Sequence, residues 1–288
     1  MKTTVILEGG LGKHIAFTAL IPKLKKKYGE LQIYTPYVNV FAFNPDVKMA
    51  FDSNTLPLRH PDIIDGDIVF AEPYKSNWQK GKQSLLQSYA ELLGIKYNPK
   101  TDVPKMFTEN EQENVEKVKE QLELDKFIVV QFTGGQTSIG FNPQQQYVGG
   151  TAVDRNYPIY LAQAAINIFK EKYPDIAVLN WGMPNEPQYH NAIPLDVDFR
   201  IMHALAKESS GFISTDSSLQ HIMKSVGKSG VSIHGETAFH QFGYDTNTRM
   251  NAFAKDEWDF NIDTQDPRTV MVDPGMVVEA FVEKHLEQ

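Results

Sequence analysis

The chain has 288 residues, a formal net charge of −8 and no cysteine. This composition excludes disulfides, thiolate metal sites and cysteine nucleophiles, and the negative charge argues against a general polyanion binder. Because 41% of the residues are hydrophobic, the chain can bury a core and is not a disordered protein. Its length predicts two domains, since a typical domain has about 100–200 residues.

The first part of the chain alternates between short apolar runs and helix-length amphipathic stretches. Thr3–Leu7 is typical of a strand buried on both faces, and apolar residues at helical spacing predict a helix from about residue 15 to 27. Further strands are predicted at Leu31–Thr35, Val47–Phe51 and Asp67–Phe70. Further helices are predicted at Gln83–Leu93 and Glu109–Leu122.

A second series begins at Phe127 and follows the same alternation. Its predicted strands are Phe127–Phe132, Ile176–Trp181, Gly211–Thr215 and Val231–His234. Its predicted helices are Pro158–Lys172, Phe199–Glu208, Ser217–Val226 and Pro274–Leu286. Strands that alternate with helices predict parallel sheets covered on both faces. We therefore predict an α/β protein with two doubly wound parallel sheets, in domains 1–124 and 125–288.

No apolar segment is long enough to cross a membrane, which takes about 20 residues. The apolar stretch near the N-terminus, Val5–Leu7, is also too short for a signal peptide. We therefore expect a cytoplasmic protein that makes no integral membrane contact.

A glycine-rich loop, Glu8–Gly12, joins the first strand to the first helix. It is not a dinucleotide fingerprint, because Ile15 stands where a third glycine is required. It is not a Walker A loop either, because His14 rather than Ser or Thr follows Lys13. A plain strand-to-helix turn and a ligand-facing loop both fit, and the position at the carboxyl end of a strand favours the ligand.

A second strand-to-helix turn carries the sequence Asp216-Ser217-Ser218-Leu219-Gln220-His221. Asp216 or Ser217 can cap the helix, which leaves backbone N–H groups aimed at an anion. His221 lies about one helical turn after Ser217, and Arg155 adds a guanidinium of the shape that suits phosphate. A phosphate site and a capped helix beside a partly buried histidine are the two interpretations.

Four segments together carry a family resemblance. The first is Gly9–Gly12, which opens a helix that continues as Thr18–Lys25, and the second is Arg155–Pro158. The third is Asp216–His221, similar to an Asp-Ser/Thr-Gly-Leu-x-His motif, and the fourth is Val231–Thr237. In this order the segments resemble the heptosyltransferase-like family of GT-B glycosyltransferases, which includes the ADP-heptose:lipopolysaccharide heptosyltransferases.

The resemblance implies two facing Rossmann-like domains with a cleft between them. The C-terminal domain would bind a nucleotide-diphospho-sugar, the N-terminal domain would bind the acceptor, and the last helix, 274–286, would pack back on the first domain. Transfer would invert the anomeric centre and need no metal or other cofactor. The implied donor-binding residues are Thr133, Gly134, Gly135, Arg155, Gly182, Met183, Asp216, Ser217, Ser218 and His221. The implied acceptor-side loop is Gly9, Gly10, Leu11 and Gly12.

The catalytic base is where the sequence departs from the family. Many members have Asp directly after the last loop glycine, whereas this chain has Lys13. A lysine with a pKa of about 10 is protonated at neutral pH and is a poor base. His14, which titrates near neutrality, and Glu8, at the end of the first strand, are the other candidates. Ser218 also replaces the usual glycine of the third motif.

Two Asp-x-Asp triplets, 65–67 and 196–198, resemble metal ligands of a different glycosyltransferase architecture. Asp198 is better explained as the cap of the helix that starts at Phe199, and Asp65-Gly66 as a turn before a strand. We therefore predict no metal site. The long segment 136–154 is rich in Gly, Gln and Asn, which suggests a loop that closes on substrate.

Three alternatives concern the acceptor and the activity. Residues 1–60 hold eight Lys or Arg and four Asp or Glu, so the acceptor could be a hydroxymethylated pyrimidine in phage DNA rather than a lipopolysaccharide core sugar. Without its base, the chain could be a catalytically degenerate nucleotide-sugar-binding module. A nucleotide-sugar epimerase or dehydrogenase is disfavoured, because the full glycine fingerprint and a Tyr-x-x-x-Lys pair are absent.

Overall fold

A computed structural model describes residues 2–73, 83–98, 103–134, 156–182, 186–235, 239–251 and 272–286. The chain divides into two compact units, Met1–Met106 and Phe107–Gln288. Within the described ranges, no helix combines the length and hydrophobicity that a membrane span requires. The predicted closing loop, 136–154, lies outside the described residues.

The first unit contains a four-stranded parallel sheet in the order β3-β2-β1-β4. Its strands are β1 (Lys2–Leu7), β2 (Glu30–Thr35), β3 (Met49–Asp52) and β4 (Asp67–Ala71). Its helices are α1 (Leu11–Phe17), α2 (Ile21–Tyr28), α3 (Val38–Phe41), α4 (Pro61–Ile64) and α5 (Leu85–Leu92). A 3-10 turn, Thr18–Leu20, joins α1 to α2. The central strands are buried, as Val5 and Ile33 show at 0% exposure.

The second unit contains a six-stranded parallel sheet in the order β10-β9-β8-β5-β6-β7. Its strands are β5 (Lys126–Gln131), β6 (Ile176–Trp181), β7 (Ile193–Leu195), β8 (Phe212–Thr215), β9 (Gly230–His234) and β10 (Thr248–Asn251). Its helices are α6 (Glu109–Gln121), α7 (Ile159–Lys172), α8 (Phe199–Glu208), α9 (Ser218–Ser225), α10 (Phe239–Phe242) and α11 (Pro274–Phe281). The predicted α/β fold with two parallel sheets is confirmed.

The last helix, α11, packs within the second unit. Its apolar face joins the core of that unit through Val277, Val278 and Phe281, and the Phe281 ring lies 6.0 Å from the ring of Phe169 on α7. A π-helical turn, Val282–Leu286, continues it. These contacts bury one face of α11 in the core of the second unit.

Helix α6 also belongs to the second unit. Thr108 and Glu111 form a reciprocal capping box at its N-terminus. The same Glu111 pairs with Arg200 of α8, with Nη2 and Oε2 2.8 Å apart, and both side chains are largely buried. This pair ties α6 to α8, so the two compact units separate at residue 106, earlier than the predicted boundary at residue 124.

The elements that the sequence did not predict are short. They are β7, β10, α3, α4 and α10, of three or four residues each. A segment of that length shows no measurable hydrophobic period. Strand β7 also contains Pro194, which is tolerated because β7 lies at the sheet edge.

Candidate functional site

Each sheet has one position where the direction of winding reverses. In the first unit the chain runs from β1 to β2 and β3, and then returns to β4 on the other side of β1. In the second unit it runs from β5 to β6 and β7, and then returns to β8 on the other side of β5. Ligands of open α/β sheets bind at such switch points, outside the carboxyl ends of the strands. The loops after β1 and after β5 and β8 are therefore the candidate sites.

The loops after β5 and β8 touch each other. A Cβ atom on Gly134 would lie 2.9 Å from the carbonyl oxygen of Asp216 and 3.6 Å from the Cβ of Ser217. Only glycine permits this approach without a shift of the backbone. The structure therefore brings together Gly134, Asp216 and Ser217, three of the residues that the sequence assigns to the donor.

Two amide side chains that the sequence did not single out fix this junction. Gln131, at the end of β5, accepts a hydrogen bond from the backbone N–H of Leu219 at 3.2 Å. Asn156 accepts one from the backbone N–H of Gly134 at 2.9 Å. Asn156 stands inside the Arg155–Pro158 motif, but its role depends on a contact 22 residues away in sequence. No local pattern reveals such a contact.

Four consecutive residues, from the end of β8 to the N-cap of α9, carry buried oxygens that lack a partner. Among the described residues, Ser214 Oγ, Thr215 Oγ1, Asp216 Oδ2 and Ser217 Oγ make no hydrogen bond. Ser217 is the N-cap of α9, yet its side chain makes no capping hydrogen bond, contrary to the predicted cap. An unpaired buried polar group costs about 1–3 kcal/mol, which a ligand that supplies the partner would offset.

A buried hydrogen-bond chain holds Asp216 in place. Gln220 Nε2 donates to Asp216 Oδ1 at 2.6 Å, and Ser232 Oγ donates to Gln220 Oε1 at 3.4 Å. His234 Nε2 lies 2.8 Å from the same Ser232 oxygen. Asp216 Oδ1 already accepts a hydrogen bond from Gln220, so Oδ2 is the carboxylate oxygen that could accept one from a ligand.

His221 lies beside these hydrogen-bonded residues, and the residue is 4% exposed. Its Nδ1 lies 2.6 Å from the hydroxyl of Tyr244. Burial lowers the pKa of His221 to about 4, and the nearby Asp216 opposes this shift. The imidazole is therefore neutral at pH 7, and it can donate a hydrogen bond but brings no positive charge.

In the first unit, His14 is fully buried and bound to the backbone. Its Nδ1 lies 2.9 Å from the carbonyl oxygen of Gly10, and its Nε2 lies 3.1 Å from that of Leu7. The edge of the ring packs on Tyr37, with the centroids 4.8 Å apart. Burial lowers the pKa of His14 to about 4, against the effect of the two carbonyl groups. Both nitrogens face backbone carbonyl oxygens, and the neutral ring, which has a single N–H, donates to one of them. The other nitrogen is buried against a carbonyl oxygen, so His14 packs inside the loop rather than facing solvent.

Glu8 and Lys13 lie at the same loop. Glu8 is exposed directly after β1, and Gly9 has a φ of 98°, which glycine adopts without strain. The Lys13 side chain folds over Gly9, where a Cβ atom would lie 2.9 Å from Nζ. Helix α1 begins at Leu11, so Leu11, Gly12 and Lys13 form its first turn, four residues before the predicted helix start.

Of the remaining residues predicted to bind the donor, some lie at strand ends or at the start of α9 and others lie outside the described residues. Thr133 and Gly182 follow β5 and β6, and Ser218 opens α9. The side chain of Glu186, which the sequence did not single out, folds onto Gly182 and is 9% exposed. A buried carboxylate beyond the end of a strand is a candidate ligand group, and no motif in the sequence indicates it. Gly135, Arg155 and Met183 lie outside the described residues.

The two Asp-x-Asp triplets serve the local backbone. Asp198 accepts a hydrogen bond from the backbone N–H of Arg200 at 2.8 Å and caps α8, as predicted. Asp65 follows α4 in the turn before β4, also as predicted. Its Oδ2 lies 3.7 Å from Lys2 Nζ. In the part of the chain that the structure describes, no three His, Asp or Glu side chains form a metal-binding group.

The fold is similar to that of solved glycosyltransferases. The glycosyl transferase family 9 structure from Veillonella parvula DSM 2008 has a TM-score of 0.73 at 12% identity, and the match covers 100% of this chain and 98% of that one. Escherichia coli ADP-heptose lipopolysaccharide heptosyltransferase II gives 0.61 at 12% identity, with 94% and 96% covered. The iron-containing heptosyltransferase TibC of E. coli, in complex with ADP-D-beta-D-heptose, gives 0.63 at 12% identity, with 98% and 76% covered.

These likenesses confirm the predicted GT-B fold and the resemblance to heptosyltransferases at the level of the fold. Neither a protein-family model nor a curated protein sequence matches the chain.

Proposed function

We propose that the chain is a glycosyltransferase that moves a sugar from a nucleotide-diphospho-sugar to an acceptor hydroxyl with inversion. The observation that carries the proposal is the group of unpaired buried oxygens of Thr215, Asp216 and Ser217 at the switch point of the second sheet. The shared fold with heptosyltransferases supports the same assignment. Since two of the similar structures are named for ADP-heptose, an ADP-sugar is the first donor to test.

The chemistry of the site matches the parts of such a donor. The hydroxyls of Thr215 and Ser217 can donate to diphosphate oxygens, as can backbone N–H groups at the start of α9. Asp216 Oδ2 only accepts, so it suits a hydroxyl of the ribose or the sugar. Arg155, which lies outside the described residues, is the proposed cation for the leaving diphosphate.

We propose Glu8 as the base that takes the proton from the acceptor hydroxyl. Its carboxylate is exposed at the carboxyl end of β1, whereas both nitrogens of His14 are buried close to backbone carbonyl oxygens. Lys13 is not needed as a base in this scheme, and its ammonium group is suited to an anionic acceptor. The step needs no metal, a prediction that unchanged activity in EDTA would support.

A glycan is the proposed acceptor. The alternative acceptor, modified DNA, depends on the lysines of helix α2 to bind phosphates. Two of these lysines already donate hydrogen bonds to backbone carbonyls of the same unit. Lys23 donates to the carbonyl of Lys96, and Lys27 donates to those of Leu93 and Gly94. Binding to hydroxymethylated duplex DNA that weakens steeply with salt would favour the DNA acceptor instead.

The donor assignment is tested with Ser217→Ala, because the change removes only one unpaired oxygen. A lost hydrogen bond to a charged group predicts roughly tenfold or greater weakening of ADP binding by calorimetry. Ser84→Ala is the matched control, since Ser84 caps α5 in the first unit through a hydrogen bond from Gln87 N–H. Equal ADP affinity in Ser217→Ala and wild type would contradict the assignment.

A second candidate is a nucleotide-sugar-binding module without turnover. It is favoured by one observation, that Lys13 stands at the family's Asp position and its side chain covers Gly9. Donor binding without transfer to any glycan, and without donor hydrolysis, would establish this alternative.

A further inference from the structure

Tyr244 contacts His221 from a different part of the second unit. It lies between α10 and β10, whereas His221 lies in the first half of α9. Its hydroxyl is 2.6 Å from His221 Nδ1, and the two rings meet edge to face with centroids 5.5 Å apart. Lys224 Nζ lies 5.7 Å from the centroid of the Tyr244 ring, within the range of a cation–π contact. Tyr244 is therefore held against His221 by more than one contact.

The direction of this hydrogen bond and the tautomer of His221 are linked. A neutral imidazole has one N–H donor and one acceptor nitrogen. A protonated tyrosine hydroxyl can donate to Nδ1 or accept from an Nδ1–H group, so the distance alone fits both tautomers. If the phenol donates, His221 carries its single proton on Nε2.

The remaining nitrogen is available for a ligand. Among the described residues, His221 Nε2 has no hydrogen-bond partner, although the residue is 4% exposed. The residue lies four positions after Ser217 and close enough to Asp216 for the two to interact electrostatically. An Nε2–H group can donate to a phosphate oxygen, whereas the other tautomer would present a lone pair to an anion.

We infer that Tyr244 is a positioning residue that fixes the Nε2–H tautomer of His221, so that His221 donates a hydrogen bond to the diphosphate of the donor. The ligand half of this inference rests on the proposed function, and the tautomer half does not. The charged and titratable groups that act on His221 are Asp216 and His234, and both are retained in Tyr244→Phe.

The tautomer is tested by NMR of the ring nitrogens in the full-length chain labelled with 15N-histidine at pH 7.5. The His221 signals are assigned by their loss in His221→Gln. We expect a protonated Nε2 and an unprotonated Nδ1 in wild type, and a mixture of tautomers in Tyr244→Phe. Tyr34→Phe is the matched control, because its hydroxyl donates to the Leu56 carbonyl at 2.7 Å in the first unit. A wild-type protein with the proton on Nδ1, or a tautomer unchanged in Tyr244→Phe, would overturn the inference.

The ligand half is tested by titration with inorganic pyrophosphate. We expect roughly five- to twentyfold weaker binding in Tyr244→Phe, and no further loss when that change is added to His221→Gln. Equal affinity in wild type and Tyr244→Phe would overturn this half. If wild type binds no pyrophosphate while its tautomer depends on Tyr244, the proposed function fails and the tautomer half stands.

Discussion

The residues at the end of β1 illustrate how a side chain's surroundings decide its chemistry. His14 and Glu8 are both plausible bases in sequence, because both stand next to the glycine loop. In the structure His14 is 0% exposed and each ring nitrogen meets a carbonyl oxygen, whereas Glu8 is exposed. His14 is therefore an internal part of the loop, and Glu8 is the residue that we propose for proton transfer.

Replacing Glu8 with Gln separates these roles. A general base contributes about 10²–10⁴ in rate, so we expect Glu8→Gln to lose at least a hundredfold in sugar transfer with unchanged ADP affinity. His14→Asn should instead lower the free energy of unfolding, because it removes a buried ring that braces the loop. Full activity in Glu8→Gln, measured by product formation, would return the base to His14 or Lys13.

The sequence predicted the identities of residues at the proposed donor site better than it predicted their contacts. Gly134, Asp216, Ser217 and His221 are recognisable because each stands at a strand-to-helix turn or in a motif. Gln131, Asn156 and Tyr244 were not recognised, because their hydrogen bonds join residues 22 to 88 positions apart. Glutamine, asparagine and tyrosine in loops are common, so only the fold shows which of them matter.

The helices show a second limit of sequence patterns. The lysine cluster of α2 indicates a solvated or ligand-binding face, but Lys27 donates to the carbonyls of Leu93 and Gly94 at 2.6 and 3.2 Å. These carbonyls follow α5, where the helix dipole favours a cation. Long, periodic helices such as α7 and α8 were predicted almost to the residue, because their apolar spacing repeats over several turns.

Replacing Lys27 with Met tests this use of the lysine. The aliphatic stem is kept and the donor is lost, so we expect the first unit to lose about 1 kcal/mol in urea unfolding. Lys26→Met is the control in the same helix, since Lys26 is exposed and makes no hydrogen bond within the described residues. Equal loss in both variants would show that total charge, rather than the α5 contact, sets the stability.

The pair between α6 and α8 makes a sharper prediction. Hydrogen bonds from Arg200 lower the pKa of Glu111 to about 2. Because the folded pKa is below the unfolded value, this pair stabilises the fold above about pH 4.5 and loses its effect as the pH falls towards 2.

We expect Glu111→Gln to cost about 1.5–3 kcal/mol at pH 7 and almost nothing near pH 2. Glu116→Gln, at an exposed pair with Lys119 (3.3 Å), should change the free energy of unfolding by less than about 0.5 kcal/mol. If Glu111→Gln lowers the free energy of unfolding by the same amount at every pH, Glu111 stabilises the fold through packing rather than through its charge.

Buried histidines in both units predict how the whole chain responds to acid. Burial lowers the pKa of His14 and His221 to about 4 and that of His203 to about 3. Each is neutral when folded but takes up a proton in the unfolded chain below about pH 6.5. Stability is therefore complete above that pH and declines as the pH falls towards 4, by on the order of 1–2 kcal/mol per histidine.

Urea unfolding at pH 7.5 and 5.0 measures this loss. We expect a marked drop at pH 5.0 in the wild-type chain, and a smaller drop in His203→Gln, which lacks one of the three groups. The same free energy of unfolding at both pH values would mean that these histidines are protonated in the folded state.

Both units present a switch point, and among the described residues the unpaired buried oxygens at a switch point are those of the second unit. Such oxygens are the strongest sign that the chain binds a ligand. Burying a polar atom without a hydrogen-bond partner costs free energy, and a bound ligand can supply that partner. The overall fold was predictable from the alternation of strands and helices. The packing of α11 on the second unit was not, because its apolar face fits any exposed sheet or helix surface.

The most direct test of the account is the thermal stability of the intact chain with ADP, UDP, GDP and dTDP, each compared with its nucleoside. A ligand specific for the native state stabilises it by about 2.7 kcal/mol at a hundred times its dissociation constant. The account predicts that one nucleoside diphosphate, ADP being the first candidate, raises the melting temperature of wild type, and that Ser217→Ala weakens the effect. No shift with any of the four diphosphates would contradict the claim that the second unit binds a nucleotide-diphospho-sugar.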